Sequence, residues 1–309
     1  MQQREFKKTM RLMGNSFEIT VVADDEYWAE ECINDAINEI KRIEKLLTTF
    51  DDDSQTNRIN RMAGMEAVKV DREVFELIQR SIRISDITQG AFDITYGSID
   101  KSLWNFDKTM TSLPDKETAR SMVHLVNYKN ILLDDKECSV MLTEKGMRIG
   151  FGGIGKGYAA EMAKNLLKKK GVQSGLVNAS GDLTAWGLQA NKKPWTIGIV
   201  NPDDANHVFS YLSISDMAVA TSGNYEKYIL IDGKKYSHTI NPRTGLPVTG
   251  IKSVTIITAN AEIADAMATP VTIMGIQAGL HLINQMKNIE CIIIDDNNKI
   301  YSSNNINIK

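Results

Sequence analysis

The segment Tyr236–Gly245 holds the residues of this chain that are best suited to chemistry. It contains a histidine, several hydroxyls, an arginine and a Pro/Gly pair that breaks regular structure. The chain has only four histidines, and His238 alone stands in such a polar, turn-rich setting. Because unperturbed imidazole titrates near neutral pH, His238 could accept a proton, although a histidine at a strand end could equally be structural. Arg243 could bind phosphate or shape the turn.

A second segment, Gly150–Gly157, is rich in glycine and lies between a predicted strand and a predicted helix. Glycines let a phosphate approach backbone N–H groups closely. The spacing matches a dinucleotide fingerprint, but the acid expected about 20 residues later is missing, since position 170 is Lys. It also nearly completes a Walker A loop, but Gly157 stands where Ser or Thr is needed. We favour a loop that cradles phosphate, with Lys156 neutralising its charge, over a tight turn with an exposed lysine.

A third candidate is the pair Asp265 and Thr269, four residues apart on a predicted helix. Such spacing places both side chains on one face, and carboxylate and hydroxyl oxygens suit magnesium. The alternative is an aspartate favoured by the helix dipole and a threonine that merely precedes Pro270.

Two further polar loops, Thr221–Asn224 and Asn178–Asp182, could donate hydrogen bonds to a ligand or simply connect strands. Taken together, these segments suggest an enzyme that handles phosphate and a metal ion.

Composition places few limits on this interpretation. The 309 residues carry a net charge of -3, which gives no indication of nucleic-acid binding. Three dispersed cysteines predict buried or incidental thiols. No apolar run reaches the ~20 residues of a membrane span. The first eight residues lack an apolar signal core, which leaves a cytoplasmic protein and an exported one without its signal as alternatives.

The elements that must position these residues alternate irregularly between helix and strand. The predicted helices cover residues 29–47, 72–88, 114–126, 158–170, 261–274 and 277–286. The predicted strands cover 17–21, 140–142, 147–149, 175–178, 196–200, 208–214, 218–220, 227–231, 235–240 and 253–258, and a closing hairpin turns at 295–298. Strict βαβ alternation is missing, so we predict an α+β fold, with residues 1–309 forming one domain of two closely packed lobes.

The order of short motifs along the chain resembles that of the FAD:protein FMN transferase family, also called the ApbE family. The matching segments are Leu12–Gly14, Ser54–Asn60, Gly90–Thr95, Gly152–Tyr158, Asn178–Asp182, Thr221–Tyr225, Ser237–Gly245 and Ala264–Thr269. They span nearly the whole chain, and their combination is specific although each is modest.

The resemblance implies an α+β fold of the T-fold-like type and a magnesium-dependent transferase. FMN would pass from FAD, the substrate, to a threonine or serine hydroxyl of another protein through a phosphoester bond, with release of AMP. The family's acceptors carry Asp-x-x-(Ser/Thr)-Gly-Ala-(Ser/Thr) and belong to electron-transfer complexes. By the same analogy we expect a periplasmic protein tethered to the membrane by a lipid.

The resemblance also assigns roles to individual residues. The FAD contacts would be Met13, Phe50, Ala91, Phe92, Asp93, Lys156, Thr221, Ser222, Gly223 and Ile240. Magnesium would be held by the Gly153 carbonyl, Asp265 and Thr269, and His238 would be the base that takes the acceptor proton. Gly150 and Asn241 stand where many members have aspartate, which makes the site less acidic.

Two other functions use the same residues. A magnesium-dependent FAD pyrophosphatase would let water replace the acceptor hydroxyl and would release free FMN. A non-catalytic FAD-binding protein would release no AMP, and the Asp265/Thr269 pair speaks against it because storage needs no magnesium.

Overall fold

A large antiparallel sheet forms the centre of the fold. The structure is a computed structural model that describes residues 2–100, 112–201, 204–223, 228–231 and 233–306. In chain order the strands are β1 Arg4–Leu12, β2 Asn15–Ala23, β3 Val68–Lys69, β4 Ile131–Asp134, β5 Ser139–Leu142, β6 Gly175–Ala179, β7 Asp182–Trp186, β8 Trp195–Asn201, β9 Asp204–Ile214, β10 Met217–Gly223, β11 Tyr228–Ile231, β12 Lys234–Ser237, β13 Ile251–Thr258, β14 Ile289–Asp295 and β15 Ile300–Ser302. Eight of them form the large sheet in the order β1-β2-β6-β7-β10-β13-β14-β15.

The described α-helices are α1 Glu26–Leu47, α2 Gln55–Arg61, α3 Arg72–Ile87, α4 Lys116–Ser121, α5 Gly155–Lys169, α6 Ala261–Met274 and α7 Ile276–Gln285. Of these, α1, α5, α6 and α7 cover one face of the large sheet. The apolar residues of α1 recur at helical spacing and are buried, and its N-cap Asp25 accepts a hydrogen bond from the Trp28 N–H at 2.9 Å. A continuous cluster of buried residues joins these helices to the inner face of the sheet.

The opposite face of the sheet is partly covered by the hairpin of β8 and β9. Trp195 and Ile199 from β8 pack against Leu176, Leu183 and other side chains of the outer face. A smaller sheet of order β3-β5-β4 lies beside α2, and β11 and β12 form a separate hairpin before His238.

The predicted α+β class is confirmed. The longest helices were predicted within a few residues, and α6 has the predicted bounds. The helix predicted over 114–126 is shorter and ends at Ser121. The strand predicted over 147–149 was wrong, because the side chain of Asn60 rather than a neighbouring strand pairs with the Ile149 backbone.

Parts of two predicted polar turns lie outside the described residues, because these turns include Asn224 and Asp232. Within the described ranges, no helix has both the length and the apolar character that crossing a membrane requires.

Candidate active site

A cavity of about 790 Å³ brings most of the polar candidates together. Ligand pockets typically enclose about 300–1,000 Å³. Eight residues predicted from sequence line it: Gly153, Lys156, Thr221, Ser222, Gly223, His238, Asp265 and Thr269. Segments more than 100 residues apart in the chain therefore converge on one space.

Three ionisable groups of the cavity wall interact with one another. The ammonium of Lys156 makes an ion pair with the carboxylate of Asp182, which is almost fully buried. Asp265, also buried, accepts a hydrogen bond from the Gly157 N–H at 2.8 Å. Burial, followed by repulsion from Asp182, raises the pKa of Asp265 to about 7, whereas the charge of Lys156 lowers it. An added cation near the two carboxyl groups would favour the ionised form of Asp265.

Asp182 also binds the neighbouring strand β10 through its side chain. Strand β10 pairs with β7 over Met217–Val219. Beyond that pairing, the Thr221 N–H donates to the Asp182 carboxylate at 3.3 Å. Asp182 therefore contacts both Lys156 and the β10 backbone, and all three border the cavity.

The first turn of α6, which leads to Asp265, is held from two sides. Glu161 of α5 accepts the Ala261 N–H at 2.9 Å. Arg80 of α3 forms a forked pair with Glu262 at 2.6 and 3.0 Å. Bidentate pairs of this kind fix orientation as well as position. Asp265 therefore lies on a helix whose start is tied to two neighbouring helices.

Helices α5 and α6 are in close contact at Gly157. A Cβ placed on Gly157 would lie 2.2 Å from the Ala261 carbonyl oxygen and 2.6 Å from the Asp265 Cβ. Only glycine fits between these helices without moving them. Gly157 therefore serves helix packing, which differs from the phosphate-cradling role that we assigned to the loop as a whole.

Gly152 and Gly153 are different, because neither packing nor backbone conformation requires glycine there. Both line the cavity, neither has a positive φ, and a Cβ on Gly152 would meet nothing within 4 Å. The space that two side chains would occupy is left open beside Lys156, where a phosphate could approach the backbone.

The segment Ser54–Asn60 binds the chain just before the glycine loop, Gly150–Gly157. The Asn60 side chain donates to the Ile149 carbonyl at 3.0 Å and accepts the Ile149 N–H at 2.7 Å, as a neighbouring strand would. Thr56 caps the end of α1 by donating to the Leu47 carbonyl at 3.0 Å. The segment Ser54–Asn60, which the sequence indicated only as a family motif, therefore fixes the path of the chain into Gly150.

His238 follows β12 on a short ribbon that pairs with residues 246–248. The Ser237 N–H donates to the Val248 carbonyl at 3.2 Å, and the Val248 N–H donates to the Thr239 carbonyl at 2.9 Å. The side chain of His238 is exposed and borders the cavity. A substrate can therefore reach the imidazole from the solvent.

The turn after His238 is locked by its own residues. Arg243 donates to the Gln89 carbonyl, and the Asn241 side chain accepts the Arg243 N–H at 2.9 Å. A Cβ on Gly245, whose φ is +69°, would strike the Ala119 carbonyl oxygen at 1.8 Å. Of the two alternatives for Arg243, the structure supports the turn-shaping role, and Asn241 stabilises the same turn.

The remaining predicted FAD contacts do not border this cavity. Met13 lies in the β1–β2 turn near Gly155, and Phe50 is fully exposed beyond the end of α1. The others are buried: Ala91, Phe92, Asp93 and Ile240. Their roles towards FAD stay predictions.

Asp93 and Ile240 have structural partners in their buried positions. Asp93 accepts hydrogen bonds from the Thr95 hydroxyl at 2.6 Å and the Tyr128 N–H at 2.9 Å, and burial raises the pKa of its carboxyl. Ile240 packs in a small apolar cluster with Ile99, Met122 and Val123, and its N–H donates to the Tyr96 hydroxyl at 3.0 Å.

Asp182 was missed as an individual site residue. Its segment was recognised only as a small polar loop, and nothing in the sequence places it beside Lys156. The available signal was its position at the end of a motif that matches the family pattern, followed by a strand.

The donor set fits a magnesium ion bound together with phosphate. Asp265 and Thr269 offer hard oxygens one helical turn apart, and both face the cavity with Gly153. In the described part of the chain, no group of three His, Cys, Asp or Glu side chains is arranged to hold a metal alone. Oxygens from substrate and water would have to complete the coordination, which is how magnesium commonly binds.

Comparison with known proteins agrees with these features. The sequence profile of the ApbE family matches residues 13–293. A Klebsiella pneumoniae protein named FAD:protein FMN transferase is 32% identical over 302 residues, which cover 97% of this chain and 92% of that protein. A Vibrio cholerae protein of the same name is 26% identical over 297 residues, which cover 94% of this chain and 88% of that protein.

Solved structures share the whole fold. The crystal structure of the ApbE protein from Thermotoga maritima superposes with a TM-score of 0.87, at 31% identity and 97% coverage of each chain. The apo form of the Pseudomonas stutzeri flavinyl transferase ApbE gives a TM-score of 0.86, at 26% identity, covering 98% of this chain and 96% of that one. The chain therefore belongs to the ApbE family and is an enzyme of the transferase class.

Proposed function

We propose that the protein transfers FMN from FAD to a threonine or serine hydroxyl of an acceptor protein, in a magnesium-dependent reaction. The observation that carries this proposal is the convergence of Lys156, Asp265, Thr269 and His238 on one cavity beside two glycines that leave room for phosphate. The names of the relatives support FAD as donor and a protein as acceptor.

In the proposed reaction, the acceptor oxygen forms a bond to the phosphorus of the FMN half of FAD. The bond from that phosphorus to the bridging oxygen breaks, and AMP leaves with the oxygen. The proton of the acceptor hydroxyl passes to the imidazole of His238. Such a transfer depends mainly on aligning the nucleophile and neutralising phosphoryl charge.

The protein's own residues divide this work. Gly152 and Gly153 admit the diphosphate to the backbone, and Lys156 neutralises part of its charge. Asp265 and Thr269, with the Gly153 carbonyl, would hold magnesium, which supplies Lewis-acid stabilisation of the phosphoryl oxygens when bound.

The decisive experiment incubates the protein with FAD, magnesium and a peptide carrying the Asp-x-x-Thr-Gly-Ala-Thr sequence. Transfer predicts a peptide heavier by one FMN moiety, together with AMP in equal amount. Free FMN with an unmodified peptide would identify a pyrophosphatase instead, and FAD binding without AMP would identify a non-catalytic protein. An alanine variant of the peptide's last threonine is the matched control for the accepting hydroxyl.

A further inference from the structure

Strand β8 borders the cavity with five consecutive residues, 195–199. Successive side chains of a strand point to opposite faces, and here Trp195 and Ile199 are buried against the sheet whereas Thr196 is exposed. Since residues of both faces border the same space, the cavity runs along the edge of β8.

Within the part of the chain that the structure describes, that edge has no strand partner. Strand β8 pairs with β9, and no other described strand pairs with it. Among the described residues, no backbone–backbone hydrogen bond outside that ladder involves residues 195–199 either. An unpaired strand edge presents a row of N–H and C=O groups to which another extended chain can pair.

The part of the cavity along β8 forms a groove, and its floor is polar where β1 and β2 line it. Glu5 and Lys7 of β1 and Glu18 and Thr20 of β2 line it at alternate positions, so they share the outer face of the sheet. Lys7 and Glu18 form an ion pair at 3.0 Å. Apolar side chains, such as those of Leu176 and Leu183, line the cavity further along the sheet. Charged side chains beside free main-chain groups suit a polypeptide that is added as a strand.

The groove leads to the proposed reaction centre. Thr196 and Lys7 border the same cavity as Lys156 and His238, so a chain lying along β8 can present a hydroxyl to the imidazole. Of the residues that the family resemblance assigns to FAD, Lys156 and residues 221–223 line this cavity, but none belongs to β1, β2 or β8. The β8 side of the cavity is therefore available to the second substrate.

We infer that the free edge of β8 is the docking strand for the acceptor polypeptide, which binds as an extended segment through main-chain hydrogen bonds. The inference rests on the proposed function for the identity of the partner. The main-chain bonds provide affinity for many sequences, whereas the polar floor selects among them.

Hydrogen exchange measured by mass spectrometry tests the docking directly. The acceptor peptide, added without FAD at about ten times its Kd, should slow exchange of the edge-facing amides in residues 195–199 by about tenfold. Exchange in β15, at the far edge of the large sheet, should change much less. A peptide N-methylated at alternate residues should lose this protection, because methylation removes the donors that pair with the strand.

A charge reversal tests the floor of the groove. Lys7→Glu places three carboxylates along it and should raise the KM for the aspartate-containing peptide about fivefold without changing the KM for FAD. The matched control is Lys8→Glu, since Lys8 lies on the opposite face of β1 and donates to Asn34 at 2.8 Å. Equal effects of the two substitutions would contradict the groove.

The outcomes separate the inference from the proposed function. Labelling of the peptide without protection of residues 195–199 would overturn the docking strand and leave the transferase intact. Protection without labelling would support docking and refute the transfer. Protection of the same amides by FAD alone would assign the edge to the dinucleotide and overturn the inference.

Discussion

The contact between α5 and α6 gives a prediction whose size can be worked out from distances. Replacing Gly157 with alanine puts a methyl group 2.2 Å from the Ala261 carbonyl oxygen, whereas ordinary contact needs at least 3.4 Å. The helices must separate by the difference, about 1.2 Å. Overpacking of this kind costs about 1–3 kcal/mol of stability.

The same displacement reaches the site, because Asp265 lies one turn beyond Ala261 and loses its bond from the Gly157 N–H. Misplacing a catalytic constellation by about 1 Å can lower the rate on the order of 100-fold. We therefore expect Gly157→Ala to fold with a lower Tm and to label the acceptor peptide about 100-fold more slowly. Thermal unfolding and mass-spectrometric labelling measure the two effects on the same sample.

Gly155→Ala is the matched control on the same helix. Its added Cβ would lie 3.3 Å from the Phe151 Cβ and 3.6 Å from the Met13 Cε, so little has to move. Gly155 is the first residue of α5 and has no positive φ, so its backbone accepts alanine without strain. If Gly157→Ala proved as stable and active as Gly155→Ala, the packing role of Gly157 would be refuted.

Three other substitutions probe the site. Between about pH 4 and 7, folded Asp265 keeps a proton that the unfolded chain has lost, so the free energy of unfolding falls as pH rises through that window. Without a divalent cation, the Asp265→Asn variant should therefore be more stable than the unsubstituted protein at pH 8, by at most about 4 kcal/mol. In urea titrations this gain should vanish towards pH 4. Asn60→Ala should lower the free energy of unfolding by about 2–4 kcal/mol in denaturant titrations, because it leaves the N–H and the carbonyl of Ile149 without their partner. A loss below about 0.5 kcal/mol would contradict the strand-like pairing. His238→Ala should abolish peptide labelling while FAD still binds by fluorescence titration, and near-normal labelling would rule out the imidazole as the base.

Periodic segments were predictable from sequence, since the pattern itself records burial. Helices α1, α3 and α6 show apolar residues at helical spacing, and the structure buries those residues. Strand β1 was missed because it lies at the sheet edge and is largely charged, from Arg4 to Arg11, so its outer positions carry no apolar alternation. Strand β7 was missed because it is short and follows a loop of small polar residues.

The candidate site was predictable as a set of residue types but not as an arrangement. The chemistry of Asp265 and His238 can be named from sequence, and the structure brings both to one cavity. The ion pair joins Lys156 of α5 to Asp182 at the start of β7, 26 positions later, and no local pattern encodes it. The role of Gly157 was also hidden, because packing glycines and binding glycines look alike until their neighbours are known.

The ion pair between Lys156 and Asp182 has a consequence for product release in the proposed reaction. A phosphate bound by Lys156 would displace the carboxylate of Asp182, so its electrostatic gain would be only the difference between two pairings. When AMP left, Asp182 would pair with the ammonium again, so one anion would replace another. Such an internal counterion would moderate the affinity of the proposed site for every phosphate and would ease the release of its products.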